Sequence, residues 1–160
     1  GLAFLLTTRG IPQIYYGTEI LMANPNSDKH GVIRSDFPGG WPDDEVNAFT
    51  GKRLPGKKQR AQQYMKTLMN MRQENPVLHT GKLTHFIPFD GCYVYFRYNR
   101  ESKIMVVLNK NNERKKLPLQ RFEEMLHDVK TGRDLMTGEH MELQQFLMVP
   151  PKSPLILELK

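Results

Sequence analysis

The stretch Ile11–Tyr16 constrains the fold of this chain more than any other. It lies between Gly10 and Gly17 and carries Ile11, Ile14, Tyr15 and Tyr16 without strict alternation. That pattern is expected of a strand buried on both faces, as in a parallel sheet. Leu2–Thr8 before it reads as the end of a buried helix. Gly10 suits the C′ position, because glycine takes the left-handed conformation without a Cβ penalty. A helix, a short turn and a doubly buried strand make one αβ unit, and such a strand needs parallel neighbours. The sequence offers no second αβ unit to supply them. It also begins without Met, inside a helical pattern. The expectation is a fragment of a longer protein.

The remaining organisation follows from changes of pattern. Residues 18–56 are rich in Gly, Pro, Asp and Asn and show little periodicity. A connection this long without regular structure is uncommon and usually functional. It follows the C-terminal end of the expected strand, where α/β sheets and barrels bind ligands. Lys58–Gln73 reads as a helix, with Ala61, Tyr64, Met65, Leu68, Met69 and Met71 largely on one face. Asn75-Pro76 stops it, since proline cannot continue the ladder. From residue 82 the pattern is β. Cys92, Val94, Phe96 and Tyr98 alternate with Tyr93, Tyr95 and Arg97, as in a half-buried strand. Asn99–Ser102 has hairpin-loop length, and Ile104–Leu108 is a near-continuous apolar strand. Thr131-Gly132 and Thr137-Gly138 mark turns around Asp134–Met136, and Leu155, Leu157 and Leu159 alternate again. Short strands between turn signals suggest a small antiparallel sandwich.

Charge and motif content narrow the function classes. The 160 residues hold 23 Lys+Arg against 17 Asp+Glu, a net charge of +6. The basic clusters are scattered and no basic stripe is interleaved with aromatics, so nucleic acid is not an expected partner. No apolar run reaches the ~20 residues of a membrane helix. Walker, dinucleotide and HExxH motifs are absent. One Cys and five scattered His give no metal-ligand spacing, so no metal or cofactor is expected. Cys92, at the start of a strand, reads as a buried structural thiol. Paired carboxylates remain, with Glu19, Asp28, Asp36, Asp43, Asp44 and Glu45 in or beside the long loop. The loop also carries Tyr15, Tyr16, Phe37 and Trp41 close to His30 and Arg34. Flat rings with charged neighbours suit the C–H faces and hydroxyl rims of sugars.

A family resemblance rests on several of these residues. Thr7-Thr8-Arg9-Gly10-Ile11-Pro12-Gln13-Ile14-Tyr15-Tyr16-Gly17-Thr18-Glu19 resembles the segment entering the eighth barrel strand of the α-amylase family of glycoside hydrolases. Gly31-Val32-Ile33-Arg34-Ser35-Asp36-Phe37-Pro38-Gly39-Gly40-Trp41 and Asn47-Ala48-Phe49-Thr50 are similar to its neopullulanase and cyclomaltodextrinase branch, particularly members from starch-using Bacteroidetes. Met71-Arg72-Gln73-Glu74-Asn75-Pro76-Val77-Leu78-His79-Thr80-Gly81 resembles the eighth barrel helix and its exit. Phe89-Asp90-Gly91-Cys92-Tyr93-Val94-Tyr95-Phe96-Arg97 resembles the start of the C-terminal β domain.

The resemblance implies an α+β fragment: the last βα unit of a (β/α)8 barrel over residues 1–81, then an antiparallel β-sandwich over 82–160. It implies a retaining hydrolase of starch-derived oligosaccharides, pullulan or cyclodextrins, whose three catalytic carboxylates lie upstream of Gly1. The fragment alone is then expected to be inactive. Arg34 matches a sugar-contacting arginine, with Asp28 or His30 in the place of the acid before it and Trp41 beside the same site. An Arg34–Asp36 pair bracing the loop is the structural alternative. Glu19 and Tyr16 read as structural. The implied partners are α-glucan oligosaccharides and the upstream barrel, in a periplasmic enzyme. Without barrel neighbours, Ile11–Tyr16 is expected to stay exposed unless it repacks or the chain forms a homo-oligomer. The competing reading is a noncatalytic carbohydrate-binding or structural sandwich, in which surface Tyr93 and Tyr95 could stack on starch.

Overall fold

A computed structural model describes all 160 residues. The chain divides into two compact units, Gly1–Pro12 with Leu68–Lys160, and Gln13–Thr67. The division falls inside α3 (Gly56–Glu74), the long helix expected from the periodic stretch. Its buried stripe is narrower than the pattern implied. Met65, Leu68 and Met71 are buried, whereas Met69 and Tyr64 are exposed.

The first unit is mostly antiparallel sheet. A six-stranded sheet has the order β1 (Lys82–His85), β2 (Cys92–Tyr98), β3 (Lys103–Asn109), β8 (Pro154–Leu159), β5 (Thr131–Asp134) and β6 (His140–Glu142). A second sheet pairs β4 (Lys115–Pro118) with β7 (Phe146–Val149). Every strand pair is antiparallel. The two sheets share a core. Val94, Phe96, Met105, Val107, Leu155 and Leu157 from the large sheet meet Leu117, Leu147 and Val149 from the small one, with Phe122 and Met125 from the connection. Phe122 stacks edge-on against Phe86 at 4.9 Å, the geometry aromatic quadrupoles favour.

The opposite face of the large sheet is also buried, which corrects the half-buried reading of β2. Tyr95 and Arg97 are fully buried, as are Ile104, Val106 and Ile156 on the neighbouring strands. Register places Tyr95 opposite Val106, and Val106 opposite Ile156. Helical residues lie against this face. Phe4 of α1 (Leu2–Thr7) meets the Tyr95 ring edge-on at 6.0 Å, and α4 (Val77–Thr80) packs on β2. The doubly buried strands of this chain are therefore β2, β3 and β8.

Ile11–Tyr16 forms no strand, a second correction. Ile11 is 98% exposed, and Tyr15 and Tyr16 are exposed as well. An isolated extended segment has no ladder to satisfy its backbone, so pattern alone cannot make it a strand. The barrel-end βα unit is correspondingly not evident. Gly10 does adopt positive φ, at +123°, but the helix ends earlier, with Thr8 extended at its C-cap. Thr131-Gly132 is a third correction. It lies within β5, where Gly132 brings the backbone against Leu157. The turn is at Thr137-Gly138, held by Asp134, whose carboxylate accepts from Met136 N and Thr137 Oγ1.

Arg97 joins the helices to the sheet. Its guanidinium donates to Thr7 O at 2.9 Å, Thr8 O at 2.8 Å and Gly81 O at 3.1 Å. These carbonyls end α1 and follow α4, positions where helices leave acceptors unpaired. Arg72 completes the α1 terminus by donating to Leu6 O and Gly10 O. Burial, then the positive charge of Arg72, pushes the Arg97 guanidinium below its ordinary value. It remains a cation at neutral pH. Gly81 admits no side chain here, since a Cβ would stand 2.3 Å from Val77 O.

Arg97→Met is expected to destabilise the chain by about 3–5 kcal/mol, because it strands two buried carbonyls and one part-buried carbonyl. Urea unfolding would read this as a lower midpoint, and a change below about 0.5 kcal/mol would refute the joint's importance. Tyr95 gives a pH prediction. Burial pushes its phenol up to about 12 from 10.0. The Thr7 hydroxyl donates to Ala3 O, so the Tyr95 hydroxyl donates to Thr7. The folded state then holds its proton where the unfolded state releases it. Stability from this group is complete below pH 10 and is lost as pH rises from 10 towards 12, by about 2–3 kcal/mol. Tyr95→Phe should flatten that alkaline slope in a pH series of unfolding curves.

Candidate functional site

The second unit holds the long loop and all four residues expected to contact sugar. Its small core is Ile20, Ala48 and Leu54, with Met22, Phe37 and Val46 packed around it. Gly17, at φ +83°, turns the chain into a 3-10 turn over Thr18–Ile20, and Met22 N returns to Gly17 O at 2.8 Å. Glu19 sits in that turn, partly buried. One helical turn follows at α2 (His30–Ile33).

Asp28, His30 and Arg34 lie on and beside α2, all exposed to solvent. Asn24 fixes this segment by donating its side-chain amide to Val32 O and to Ser35 Oγ. Tyr16 donates its hydroxyl to Ser35 O at 3.0 Å. Partial removal from water, then the neighbouring Tyr15 and Asp36, push that hydroxyl above its ordinary value, while Arg34 opposes them. The Tyr15 and Tyr16 rings lie 4.7 Å apart and both are exposed.

Trp41 joins this network through Asp36. Its indole Nε1 donates to Asp36 Oδ2 at 3.3 Å, while 63% of the residue remains exposed. The bracing Arg34–Asp36 ion pair is not formed; the indole takes the Asp36 carboxylate. Asp44 fixes the turn beneath Trp41, accepting from Gly39 N at 2.7 Å and Trp41 N at 3.1 Å. Gly39, at φ +100°, lies so close to Asn47 that a Cβ would meet its Cγ at 2.6 Å. Asn47 in turn accepts from Phe49 N and Thr50 N. The loop is irregular but densely bonded.

Hydrogen bonds therefore tie Trp41 to Asp36 and Tyr16 to the adjacent Ser35, while the neighbouring Arg34 stays exposed. Asp28 and His30 form no side-chain bond with Arg34 or Trp41. Sequence reading takes Tyr16 as structural and Asp36 as a brace for Arg34, but misses Asn24 and the Asp36–Trp41 bond. The signals were weak: an Asp five residues before a Trp, and an Asn on an aperiodic stretch. The acids considered as a carboxylate pair have other duties, since Asp44 holds backbone amides and Asp36 holds the indole. No three His, Cys, Asp or Glu side chains converge as metal ligands. No helix is long and apolar enough to cross a membrane.

Comparison with known proteins bears on the β portion first, where residues 83–158 match the model of the cyclo-malto-dextrinase C-terminal domain. Residues 83–158 belong to that domain family. Curated relatives extend the likeness. The chain is 30% identical over 112 residues to a cyclomaltodextrin glucanotransferase of Klebsiella oxytoca, covering 69% of this chain and 15% of that protein. It is 32% identical over 125 residues to a maltogenic α-amylase of Bacillus acidopullulyticus, covering 72% and 18%. The chain thus spans less than a fifth of the length of these two relatives. In fold it resembles the α-amylase of Geobacillus thermoleovorans solved with acarbose, at TM-score 0.73 and 23% identity, over 99% of this chain and 32% of that one.

Within the cyclo-malto-dextrinase C-terminal domain, the tyrosines considered as a starch platform are differently placed. Tyr95 is buried beneath Phe4, and Tyr93 is half-buried between Phe4, His85 and Tyr95. Neither presents a free ring face as a pair. Cys92 is buried and unpaired, and burial pushes its thiol up, as an inert core thiol requires.

Trp41 is the single tryptophan of the chain, so its fluorescence reports this loop alone. Asp44→Ala is expected to cost about 1–2 kcal/mol, the scale of hydrogen bonds to a charged acceptor near the surface. It should also raise acrylamide quenching of Trp41. Unchanged quenching would mean that the turn holds without the carboxylate.

Proposed function

We propose that this chain is the C-terminal part of an α-amylase-family enzyme acting on α-glucan oligosaccharides, cyclodextrins or pullulan. Residues 1–81 would close a (β/α)8 barrel and residues 82–160 would form its C-terminal sandwich. In this reading Ile11–Tyr16 is the eighth barrel strand, pairing with upstream strands. The observation that carries the proposal is the family membership of residues 83–158. The exposure of Ile11, Tyr15 and Tyr16 supports it, since an apolar segment of this kind is normally covered.

The chemistry would be double displacement through a covalent glycosyl-enzyme, run by carboxylates outside this chain. This chain's share is binding. Arg34 offers a planar fork of donors to vicinal hydroxyls, a geometry lysine cannot reproduce. Trp41, oriented by Asp36, offers a ring for the C–H face of a glucosyl unit. His30, one helical turn before Arg34, and Asp28, two residues further back, would add hydroxyl partners at the same rim. The names of the relatives include both a glucanotransferase and an amylase. Transfer and hydrolysis share the covalent intermediate and differ in its acceptor. We place the parent among hydrolases, in the neopullulanase and cyclomaltodextrinase branch, and in the periplasm.

Two measurements test the reading. The pure 160-residue chain should release no reducing sugar from β-cyclodextrin or pullulan, and cleavage by verified material would overturn the division of labour. An immunoblot of source cells should find the chain within a polypeptide several times heavier than 18.6 kDa. In that polypeptide, Arg34→Ala should raise KM for maltoheptaose about tenfold while changing kcat less than about threefold, the signature of lost uniform binding. An unchanged KM would remove Arg34 from the site.

A further inference from the structure

A cleft of about 570 Å³ lies in the β unit where the two sheets part. One wall is the segment from Pro118 to His127, and the other is Leu143–Phe146, the crossover from β6 to β7. The walls are tied by Leu119 N donating to Gln145 O at 3.0 Å and by the Pro118–Phe146 pair that ends the small sheet. Leu126, Val129 and Leu143 line the cleft and also pack on the main core, so its apolar floor is anchored. The volume lies within the ~300–1,000 Å³ usual for small-molecule sites.

The polar lining selects the ligand class. Gln120, Gln144 and Gln145 each bring an amide, which carries donors and an acceptor together. Gln144 is oriented, because its Nε2 donates to Glu142 Oε2 at 2.9 Å and leaves its oxygen to accept. His127 Nδ1 is 3.2 Å from Glu124 O, a group that can only accept. The tautomer that donates there carries an acceptor at Nε2. Glu123 is the one formally charged side chain lining the cleft, which holds no Lys or Arg in a chain of net charge +6. The cation beside the cleft, Lys116, is engaged over the Phe146 ring, so the lining itself offers an anionic ligand no ion pair. A purely apolar ligand would leave the amides unpaired. A neutral ligand with hydroxyls around an apolar body meets every requirement. Phe146, still 43% exposed with Lys116 Nζ 3.8 Å over its ring, adds an aromatic wall for such a body.

We infer that this cleft is a saccharide-binding site of the β unit, taking an α-1,4-glucan chain. The choice of α-glucan rests on the function proposed above. The cleft would hold substrate by a surface other than the loop that carries Arg34 and Trp41.

The test is amide NMR of the full 160-residue chain titrated with maltoheptaose, with cellohexaose in parallel. Shifts should concentrate at residues 118–127 and 143–146 at low millimolar maltoheptaose and be absent with cellohexaose. Gln120→Ala with Gln144→Ala, both exposed and outside the core, should weaken binding about tenfold while the remaining spectrum stays folded. Phe146→Ala should do the same. Three results would overturn the proposal. No shift at the cleft with either sugar removes the site. Shifts confined to Tyr15–Trp41 remove it while leaving the α-glucan reading intact. Shifts at the cleft with cellohexaose alone reject both the named ligand and the reading beneath it.

Discussion

A buried guanidinium holds the β unit together. Arg97 sits at the centre of the large sheet, yet each of its bonds goes to backbone carbonyls of helical segments. No carboxylate answers it. The cation instead meets the negative ends of two short helices, where the last carbonyls have no partner within the helix. Neither α1 nor α4 is long enough to be stable alone. They persist because one side chain, fixed by the sheet, satisfies both ends at once. The site also explains why Gly81 is glycine, since its carbonyl must reach Arg97 while its Cα approaches Val77 O.

This joint alters how β2 reads. An alternating strand with Tyr and Arg on its polar face is the usual mark of a sheet wetted on one side. Here the tyrosine turns its hydroxyl to Thr7 and the arginine its fork to three carbonyls. Both groups are polar, and both are consumed internally. Amphipathic side chains can serve either a wet or a dry face, and the partner that decides lies about ninety residues away in sequence, as the Arg97–Thr7 separation shows. Periodicity alone cannot reach such a partner.

Much else was legible from local signals. The helix through Lys58–Gln73, its stop at Asn75-Pro76, the Asn99–Ser102 hairpin and the closing strand at Leu155–Leu159 each follow from spacing or turn chemistry. Asn99 shows why: its carboxamide oxygen accepts from Glu101 N and Ser102 N, so the turn is written in one residue. Ile11–Tyr16 failed for the converse reason. A strand is a relation between segments, and an apolar run without a ladder remains extended coil. In the loop, residue types pointed to sugar chemistry and drew attention to Trp41. The Asp36 and Asp44 bonds that set the Trp41 turn were beyond reach, because aperiodic backbone gives no register from which to place a side chain.

The acids of the loop lead to one further point. A run containing Asp36, Asp43, Asp44 and Glu45 invites a catalytic reading, but a general acid or nucleophile must be free to change its protonation or bond to substrate. Asp44 accepts two backbone amides and Asp36 an indole. Both carboxylates are thus engaged in holding the loop. The loop leaves Arg34 and the faces of its exposed rings open to solvent. The cleft of the β unit is built on the same terms, from amides, one imidazole acceptor and an aromatic wall. Both surfaces set fixed hydrogen-bond partners beside exposed rings, the pairing that a hydroxylated ligand with an apolar face would meet.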